Sequence, residues 1–194
     1  MKTAFIIGNG PTRKPINLDN LVGKGTIFAC NALYRDFDKY DYLISIDKSF
    51  QSIIDLHWEE EKDSRIIFPP DDECYEDAEY SEQRRRSNAG MNAMLEAIKR
   101  KHDKLFCLGF DFLIADAEKS TDNVYKDTEG YGVETHATAQ DNIHRVNYLN
   151  WFMKKHNDVR FTFVLPQIEM YELNADNAYG IHIENFIKNY AKDK

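Results

Sequence analysis

The sequence predicts an α/β protein with a Rossmann-like, mostly parallel sheet flanked by helices. Short apolar segments recur along the chain and alternate with helical or polar stretches. Several of them, such as Phe5–Ile7 and Leu105–Leu108, are continuously apolar, which is typical of strands covered on both faces in a parallel sheet. The 194 residues contain no repeat and no low-complexity linker, so we expect one domain spanning residues 1–194.

Apolar spacing also places the individual elements. Continuous apolar runs predict strands at Thr3–Ile7, Thr26–Cys30, Tyr42–Ile46, Arg65–Phe68, Lys104–Leu108 and Arg160–Leu165. Helical spacing predicts helices from about Ala89 to Lys101, Ala139 to Lys155 and Ile181 to Tyr190. Ser87 or Asn88 is expected to cap the first helix. Thr138 with Asp141 resembles a capping pair at the second, whose inward face is expected to include Ile143.

One segment breaks this alternation. Phe112–Thr135 is long and polar, and it contains Gly130 and Gly132. A connection of this length in a compact domain is usually a functional lid or a disordered segment. It follows the predicted strand Lys104–Leu108 at the end where open α/β sheets bind their ligands. We therefore interpret residues 112–135 as a lid.

Composition excludes several classes of function. The formal net charge of −8 argues against a broad duplex-binding surface, so no nucleic-acid partner is expected. No apolar run approaches the roughly 20 residues that cross a bilayer. The N-terminus lacks the features of a signal peptide, and we expect a cytoplasmic protein. Cys30, Cys74 and Cys107 have no metal-ligand spacing, and the first and last are expected to be core residues.

The first candidate site is the loop Gly8-Asn9-Gly10-Pro11, directly after the first strand. Two glycines let the backbone approach a ligand and offer N–H groups to phosphate or sugar oxygens. Asn9 tolerates unusual backbone angles and can donate from its side chain. The third glycine of the dinucleotide fingerprint is missing, so no standard NAD site is expected. A tight turn that only leaves the sheet is the alternative interpretation.

Polar residues also follow the next strands. Asn31 lies after the second strand and Asp47 after the third, and the carboxyl ends of parallel strands converge on one crevice. Either residue alone more often caps a helix, but together with the glycine loop they indicate a ligand site. Asp111, after the strand at Lys104–Leu108, is placed to accept hydrogen bonds from ribose hydroxyls or to cap a turn.

Two further groups complete the candidate site. A helix start suits an anion, because its free N–H groups and its dipole attract negative charge. The residues at this start are Ser87, Asn88, Ala89 and Gly90. His136 stands before the long helix, in a polar stretch with Tyr125 and Tyr131, and is the candidate general base because histidine titrates near neutral pH. A purely structural histidine is the alternative.

The order of these motifs resembles the bacterial sialyltransferases of glycosyltransferase family 42. The shared pattern is Gly-Asn-Gly-Pro, Cys-Asn, Ser-x-x-Gly opening a helix, Gly-x-Asp-Phe, and a His before a long helix, over roughly Met1 to Pro166. A related group of Gly-Asn-Gly-Pro-Ser proteins, which includes an archaeal pterin pyrophosphokinase, shares the first part. In that group an Asp matches Asp47.

The resemblance implies a CMP-sugar donor, no metal or other cofactor, and a glycan or small-molecule acceptor. With the strand-end residues, the predicted nucleotide-binding set is Gly8, Asn9, Gly10, Asn31, Asp47, Ser87, Asn88, Ala89, Gly90 and Asp111. His136 falls on the general base that deprotonates the acceptor hydroxyl. Tyr125 falls on a tyrosine that stabilises the departing phosphate. The family tends to form tetramers, which makes a homo-oligomer an expectation.

Three positions depart from the family pattern. Leu113 replaces a second phosphate-binding tyrosine, and Thr12 replaces the serine after Gly-Asn-Gly-Pro. Asp47 stands where the family carries a neutral Asn, and its charge is unfavourable beside a carboxylate-bearing donor. The donor sugar need not be sialic acid.

Two other functions stay open on the sequence. An ATP-dependent phosphotransferase of the pyrophosphokinase type would need Mg²⁺, with Asp47, Asp111 and Asp116 as possible ligands. A non-catalytic nucleotide-binding protein of the same fold would suit Leu113. The fold cannot separate these functions from glycosyl transfer.

Overall fold

The computed structural model describes residues 1–58, 63–69 and 88–192. These residues form one sheet of seven strands: β1 Thr3–Ile7, β2 Thr26–Cys30, β3 Tyr42–Ile44, β4 Ile66–Ile67, β5 Lys104–Leu108, β6 Arg160–Leu165 and β7 Ala178–His182. The helices in the same residues are α1 Lys48–His57, α2 Ala89–Lys99, α3 Ala117–Ser120, α4 Ala139–Lys155 and α5 Ile183–Tyr190. No helix in the described part of the chain is long and apolar enough to cross a membrane.

All neighbouring strands pair in parallel, in the order β4-β3-β2-β1-β5-β6-β7. This confirms the Rossmann-like α/β prediction. The chain builds the sheet outward from β1 to β4, then crosses to β5 on the other side of β1 and continues to β7. Such a reversal leaves a crevice at the carboxyl ends of the two central strands. The loops after β1 and β5 therefore meet at the expected ligand-binding position.

Both faces of the sheet are covered. Along β1, Ala4 and Ile6 pack into one core cluster and Phe5 and Ile7 into the other, and each of these side chains is buried. This is why the strand reads as a continuous apolar run rather than an alternating one. The predicted core positions of Cys30 and Cys107 are confirmed, since both are buried free thiols. Cys74 lies outside the described residues.

The helix starts follow their capping residues. Asn88 caps α2, because its side chain accepts a hydrogen bond from the Met91 N–H at 2.9 Å. Thr138 and Asp141 form a reciprocal capping box at the start of α4, as predicted. The inward position predicted for Ile143 is wrong, since this side chain in the first turns of α4 is exposed.

The sequence prediction missed three elements, β7, α1 and α3, and overextended β3 and β4 by a residue or two. Strand β7 is an edge strand with Tyr179 and Gly180 exposed, so it lacks a continuous apolar run. It includes Ile181 and His182, which were predicted to begin the last helix, and α5 begins at Ile183 instead.

Candidate functional site

The carboxyl ends of β1, β2, β3 and β5 open onto a cavity of about 380 Å³. The predicted site residues that line it are Gly8, Asn9, Gly10, Asn31, Asp47, Asn88, Ala89, Gly90, Asp111 and His136. Ser87 lies outside the described residues, and Tyr125 does not line the cavity. The fold therefore brings together residues that are up to 128 positions apart in sequence, from Gly8 to His136.

The glycine loop is held against the loop after β5. The Gly8 N–H donates to the Leu108 carbonyl at 2.8 Å, and the Gly10 N–H donates to the Gly109 carbonyl at 3.0 Å. The expectation that these N–H groups are offered to a ligand is therefore wrong, because both are already used. A Cβ added to Gly10 would lie 2.2 Å from Cγ of Asp111. The glycines are needed for the close approach of two loops.

Asp111 stabilises the contact between the glycine loop and the loop after β5. It is 4% exposed, and its two carboxylate oxygens accept hydrogen bonds from Thr12: Oδ2 from the backbone N–H at 3.0 Å and Oδ1 from the hydroxyl. Burial raises the pKa of Asp111, and the two Thr12 hydrogen bonds oppose the rise. The carboxylate lines the cavity while it holds the glycine loop in place. Its contact with a ribose stays a prediction.

The buried polar atoms at the cavity that lack a hydrogen-bond partner among the described residues include Asn9 Oδ1, Asn31 Oδ1, the Tyr131 hydroxyl and His136 Nε2. The Asn9 amide is oriented by its Nδ2, which donates to the Cys30 carbonyl at 2.9 Å. Burial raises the pKa of Tyr131 to about 12, and the Ala32 backbone and the side chains of Asn9 and Asn31 oppose the rise, so these groups are neighbours. Buried polar atoms without partners are costly, and a polar ligand would satisfy them.

The start of α2 supplies a wall with positive character. Asn88 uses its side chain to cap the helix, while Ala89 and Gly90 line the cavity. The free N–H groups of a helix's first turn and its dipole attract an anion. Gly90 also lets the helix start pack on Phe110, since an added Cβ would lie 2.8 Å from the ring.

His136 has an acidic partner that sequence reasoning missed. Its Nε2 lies 3.2 Å from Oδ1 of Asp127, and its side chain is 29% exposed. This contact is an ion pair only when the imidazole is protonated, and Nε2 makes no hydrogen bond to the described residues. Asp127 adopts a positive φ of 64° in an exposed turn of the 112–135 segment. Nothing in the local sequence distinguishes it from an ordinary turn residue.

Tyr125 faces away from the cavity. It is 5% exposed, and its hydroxyl accepts a hydrogen bond from Arg13 Nη2 at 3.2 Å. Burial and a hydrogen bond with Asp36 raise the pKa of Tyr125. In this arrangement Tyr125 packs against Arg13, and Tyr131, six residues later, lines the cavity instead. A hydrogen bond from the Tyr125 hydroxyl to a phosphate would need its interaction with Asp36 to break.

Arg145 is a cavity residue that the sequence reading did not single out. Its Nη1 donates to Oδ1 of Asn142 at 2.9 Å. Asn142 is fully buried, and its Nδ2 donates to both the carbonyl and the hydroxyl oxygen of Ser120, at 2.9 and 3.1 Å. Arginines on a long helix usually belong to a solvated face, which is why the position gave no signal. Here a buried amide orients the guanidinium at the cavity.

The predicted lid segment is attached to the glycine loop. The Val124 N–H donates to the Asn9 carbonyl at 2.8 Å. Farther along, Arg35 Nη2 donates to the Glu129 carbonyl at 2.9 Å. Segment 112–135 therefore forms the outer wall of the cavity, with helix α3 and several turns of its own. Its opening and closing stay a prediction.

Metal-ligating groups are dispersed in the described residues. Within 1–58, 63–69 and 88–192, no group of three or more His, Cys, Asp or Glu side chains is arranged to hold a metal ion. Asp116 instead caps α3, accepting the Lys119 N–H at 3.0 Å. The sequence contains one Asp-x-Asp motif, Asp36-Phe37-Asp38, and neither carboxylate lines the cavity.

The fold and the cavity at the strand ends together define a Rossmann-like α/β protein with a cavity at its topological switch point. No protein-family model and no curated protein matches the sequence. The fold is similar to that of the sialyltransferase CstII from Campylobacter jejuni in complex with the substrate analogue cytidine-5'-monophosphate, with a TM-score of 0.52, 16% identity and coverage of 91% of this chain and 88% of that one. A variant of Cst-II in complex with CMP gives a TM-score of 0.51, 13% identity and coverage of 93% and 89%. The resemblance to bacterial sialyltransferases is thus confirmed at the level of the fold.

Proposed function

We propose that this chain is a glycosyltransferase that uses a CMP-activated sugar as its donor. One observation carries the proposal: a carboxylate-backed histidine, His136, and the N-terminus of α2 open onto the same cavity. A general base and an anion site are the two elements that glycosyl transfer from a nucleotide requires. The fold similarity to CstII, whose structures contain CMP, supports a cytidine nucleotide as the first choice.

Nucleotide binding would use the groups that lack internal partners. The N–H groups at the start of α2, beside Ala89 and Gly90, suit the phosphate. Oδ1 of Asn9 and Oδ1 of Asn31 are acceptors, and they suit ribose hydroxyls or the amino group of a base. The cavity volume of about 380 Å³ is in the range of small-molecule sites.

The transfer step uses the opposite wall. His136 takes the proton of an acceptor hydroxyl, and that oxygen forms a bond to the anomeric carbon of the donor. The bond between this carbon and the phosphate oxygen breaks, and its electron pair leaves with CMP. Tyr131, which its raised pKa keeps protonated, donates a hydrogen bond to the departing phosphate. Asp127 stabilises the imidazolium that forms on His136.

A thermal-shift panel of CMP, CDP, ATP, UDP and NAD tests the proposal, with each nucleotide measured in Mg²⁺ and in EDTA. We expect CMP alone to raise the melting temperature, and by the same amount in Mg²⁺ and in EDTA. A ligand that binds only the native state stabilises that state by mass action. Stabilisation by ATP that requires Mg²⁺ would favour the phosphotransferase alternative. Stabilisation by none of the nucleotides would contradict the proposal.

The acceptor is proposed to be a glycan or small molecule with a free hydroxyl within reach of His136. The homo-tetramer implied by the resemblance stays a prediction, and sedimentation equilibrium would test it.

A further inference from the structure

Asp47 is an acidic side chain that the fold leaves available at the cavity. It follows β3 and is the N-cap residue of α1, yet its side chain makes no capping hydrogen bond. It lines the cavity and is exposed to it. Enclosure by the cavity walls raises the pKa of Asp47, and the positive charge of Arg145 opposes the rise.

The position of Asp47 continues a row of acceptors. Asn9 follows β1, Asn31 follows β2 and Asp47 follows β3, and each lines the same cavity. Oδ1 of both asparagines lacks a partner among the described residues. An asparagine amide carries both a donor and an acceptor, but a carboxylate is acceptor-only when ionised, so Asp47 is the member of the row that requires hydrogen-bond donors. Hydroxyl and amino groups supply such donors, whereas phosphate and carboxylate oxygens do not.

Positive side chains line the cavity as well, together with the acidic Asp111 and Asp122. Arg145, oriented by the buried Asn142, lines the cavity together with Lys126. A ligand that carries an acidic group is therefore drawn to the α4 side and repelled from the β3 side. The cavity distinguishes the two ends of its occupant by charge.

We infer that Asp47 is a specificity-determining residue for the transferred sugar: its carboxylate accepts hydrogen bonds from hydroxyl or amino groups of that sugar and disfavours an acidic substituent in the same place. This inference rests on the proposed function. The carboxylate of an acidic sugar is expected to pair with the Arg145 guanidinium and to lie away from Asp47. Specificity of this kind arises from repulsion of the wrong group as much as from attraction of the right one.

Calorimetric titration of the full chain with CMP and with CMP-N-acetylneuraminate tests the inference. The probes differ by an acidic sugar, so their affinity ratio isolates the sugar end of the cavity. The variant is Asp47→Asn, which keeps the shape and a good N-cap residue for α1. The control is Asp55→Asn, which removes the same charge from the exposed side of α1.

We expect Asp47→Asn to bind CMP-N-acetylneuraminate about tenfold more tightly than the wild type, because a like charge is removed from an enclosed site. Asp47 also belongs to the nucleotide-binding set predicted from the sequence, but a role confined to the sugar should leave the affinity for CMP within about twofold of the wild type, and Asp55→Asn should leave both affinities as they are. An unchanged or weakened affinity of Asp47→Asn for the acidic donor, with CMP binding intact, overturns the role of Asp47 and leaves the proposed function standing. An equal change for both ligands also overturns it, because Asp47 would then act on the nucleotide. If neither ligand binds the wild type, the proposed function fails, and this inference with it.

Discussion

Asp111 and Thr12, which are 99 residues apart, join the two loops at the centre of the site through two hydrogen bonds. The Thr12 backbone N–H reaches one carboxylate oxygen at 3.0 Å, and the Thr12 hydroxyl reaches the other. Gly10 lies directly against the same carboxyl group, so there is no room for a side chain at position 10. The position of the glycine loop depends on this junction.

Thr12→Val should destabilise the protein, because it leaves one Asp111 oxygen buried without its hydroxyl donor. We expect a loss of about 1–3 kcal/mol in the free energy of unfolding, measured by urea denaturation. Thr12→Ser is the matched control, since it keeps the hydroxyl and should stay near the wild type. Equal stability of the two variants would show that the hydroxyl contributes nothing.

Asp111 should also leave a signature in the pH dependence of stability. Burial raises its pKa in the folded state above the unfolded value of about 3.9. The folded state therefore binds the Asp111 proton more tightly than the unfolded state does. The stability that this contributes is present below the unfolded pKa and is lost as the pH rises through the folded pKa. Relative to Asp111→Asn, the wild type should lose stability over this window. Unfolding curves from acid to neutral pH measure the difference, and a constant difference would contradict the raised pKa.

The two tyrosines of the 112–135 segment should respond in different ways to loss of the hydroxyl. Tyr125→Phe removes the partner of the buried Arg13 and should cost about 1–3 kcal/mol of stability, with nucleotide affinity changed little. Tyr131→Phe removes the hydroxyl that is proposed to donate to the departing phosphate, so turnover should fall, with a smaller loss of stability than in Tyr125→Phe. The reverse result in paired denaturation and kinetic measurements would return the phosphate role to Tyr125.

His136→Ala should lower turnover by about a hundred- to ten-thousand-fold, the usual contribution of a general base. Nucleotide affinity should change little, because the base meets the acceptor. Asp127→Asn keeps a polar partner beside Nε2 and should give a smaller loss. Single-turnover rates with a working donor and acceptor measure both effects. Activity of His136→Ala within about twofold of the wild type would remove this residue from the mechanism.

Hydrogen exchange should resolve the segment 112–135 into fixed and moving parts. The Val124 amide, bonded to the Asn9 carbonyl, should be protected without ligand. The exposed residues around Asp127 should exchange faster and become protected when donor and acceptor bind. Equal exchange in the free and bound protein would indicate a static wall.

Much of the fold and the site could be predicted because the signals are local. A buried parallel strand such as β5 needs a continuous apolar run, and Asn31 and Asp47 follow strand ends that converge by topology. Edge strand β7 was not predicted, because a strand at the edge of a sheet does not need a continuous apolar run.

The features that the sequence did not predict are contacts between residues that come together only in the folded chain. The pairing of Asp127 with His136, and the orientation of Arg145 by Asn142, exist only once the chain has folded. The packing of the glycine loop against Asp111 also depends on the folded chain. Its glycines were expected to make room for a ligand, but a Cβ on Gly10 would collide with Asp111, so a Gly10→Val variant would disturb the loop itself.

The central place of β1 has a consequence for how the chain reaches this state. One neighbour of β1 is β2, about one loop away, but the other is β5, whose partner residues lie about a hundred positions downstream, as in the pairing of Thr3 with Lys104. Non-local pairing of this kind raises the contact order and slows folding. During synthesis, β1 to β4 emerge from the ribosome with one edge of β1 still unpaired. The cavity is lined by residues after both β1 and β5, so we expect it to form only when β5 pairs with β1.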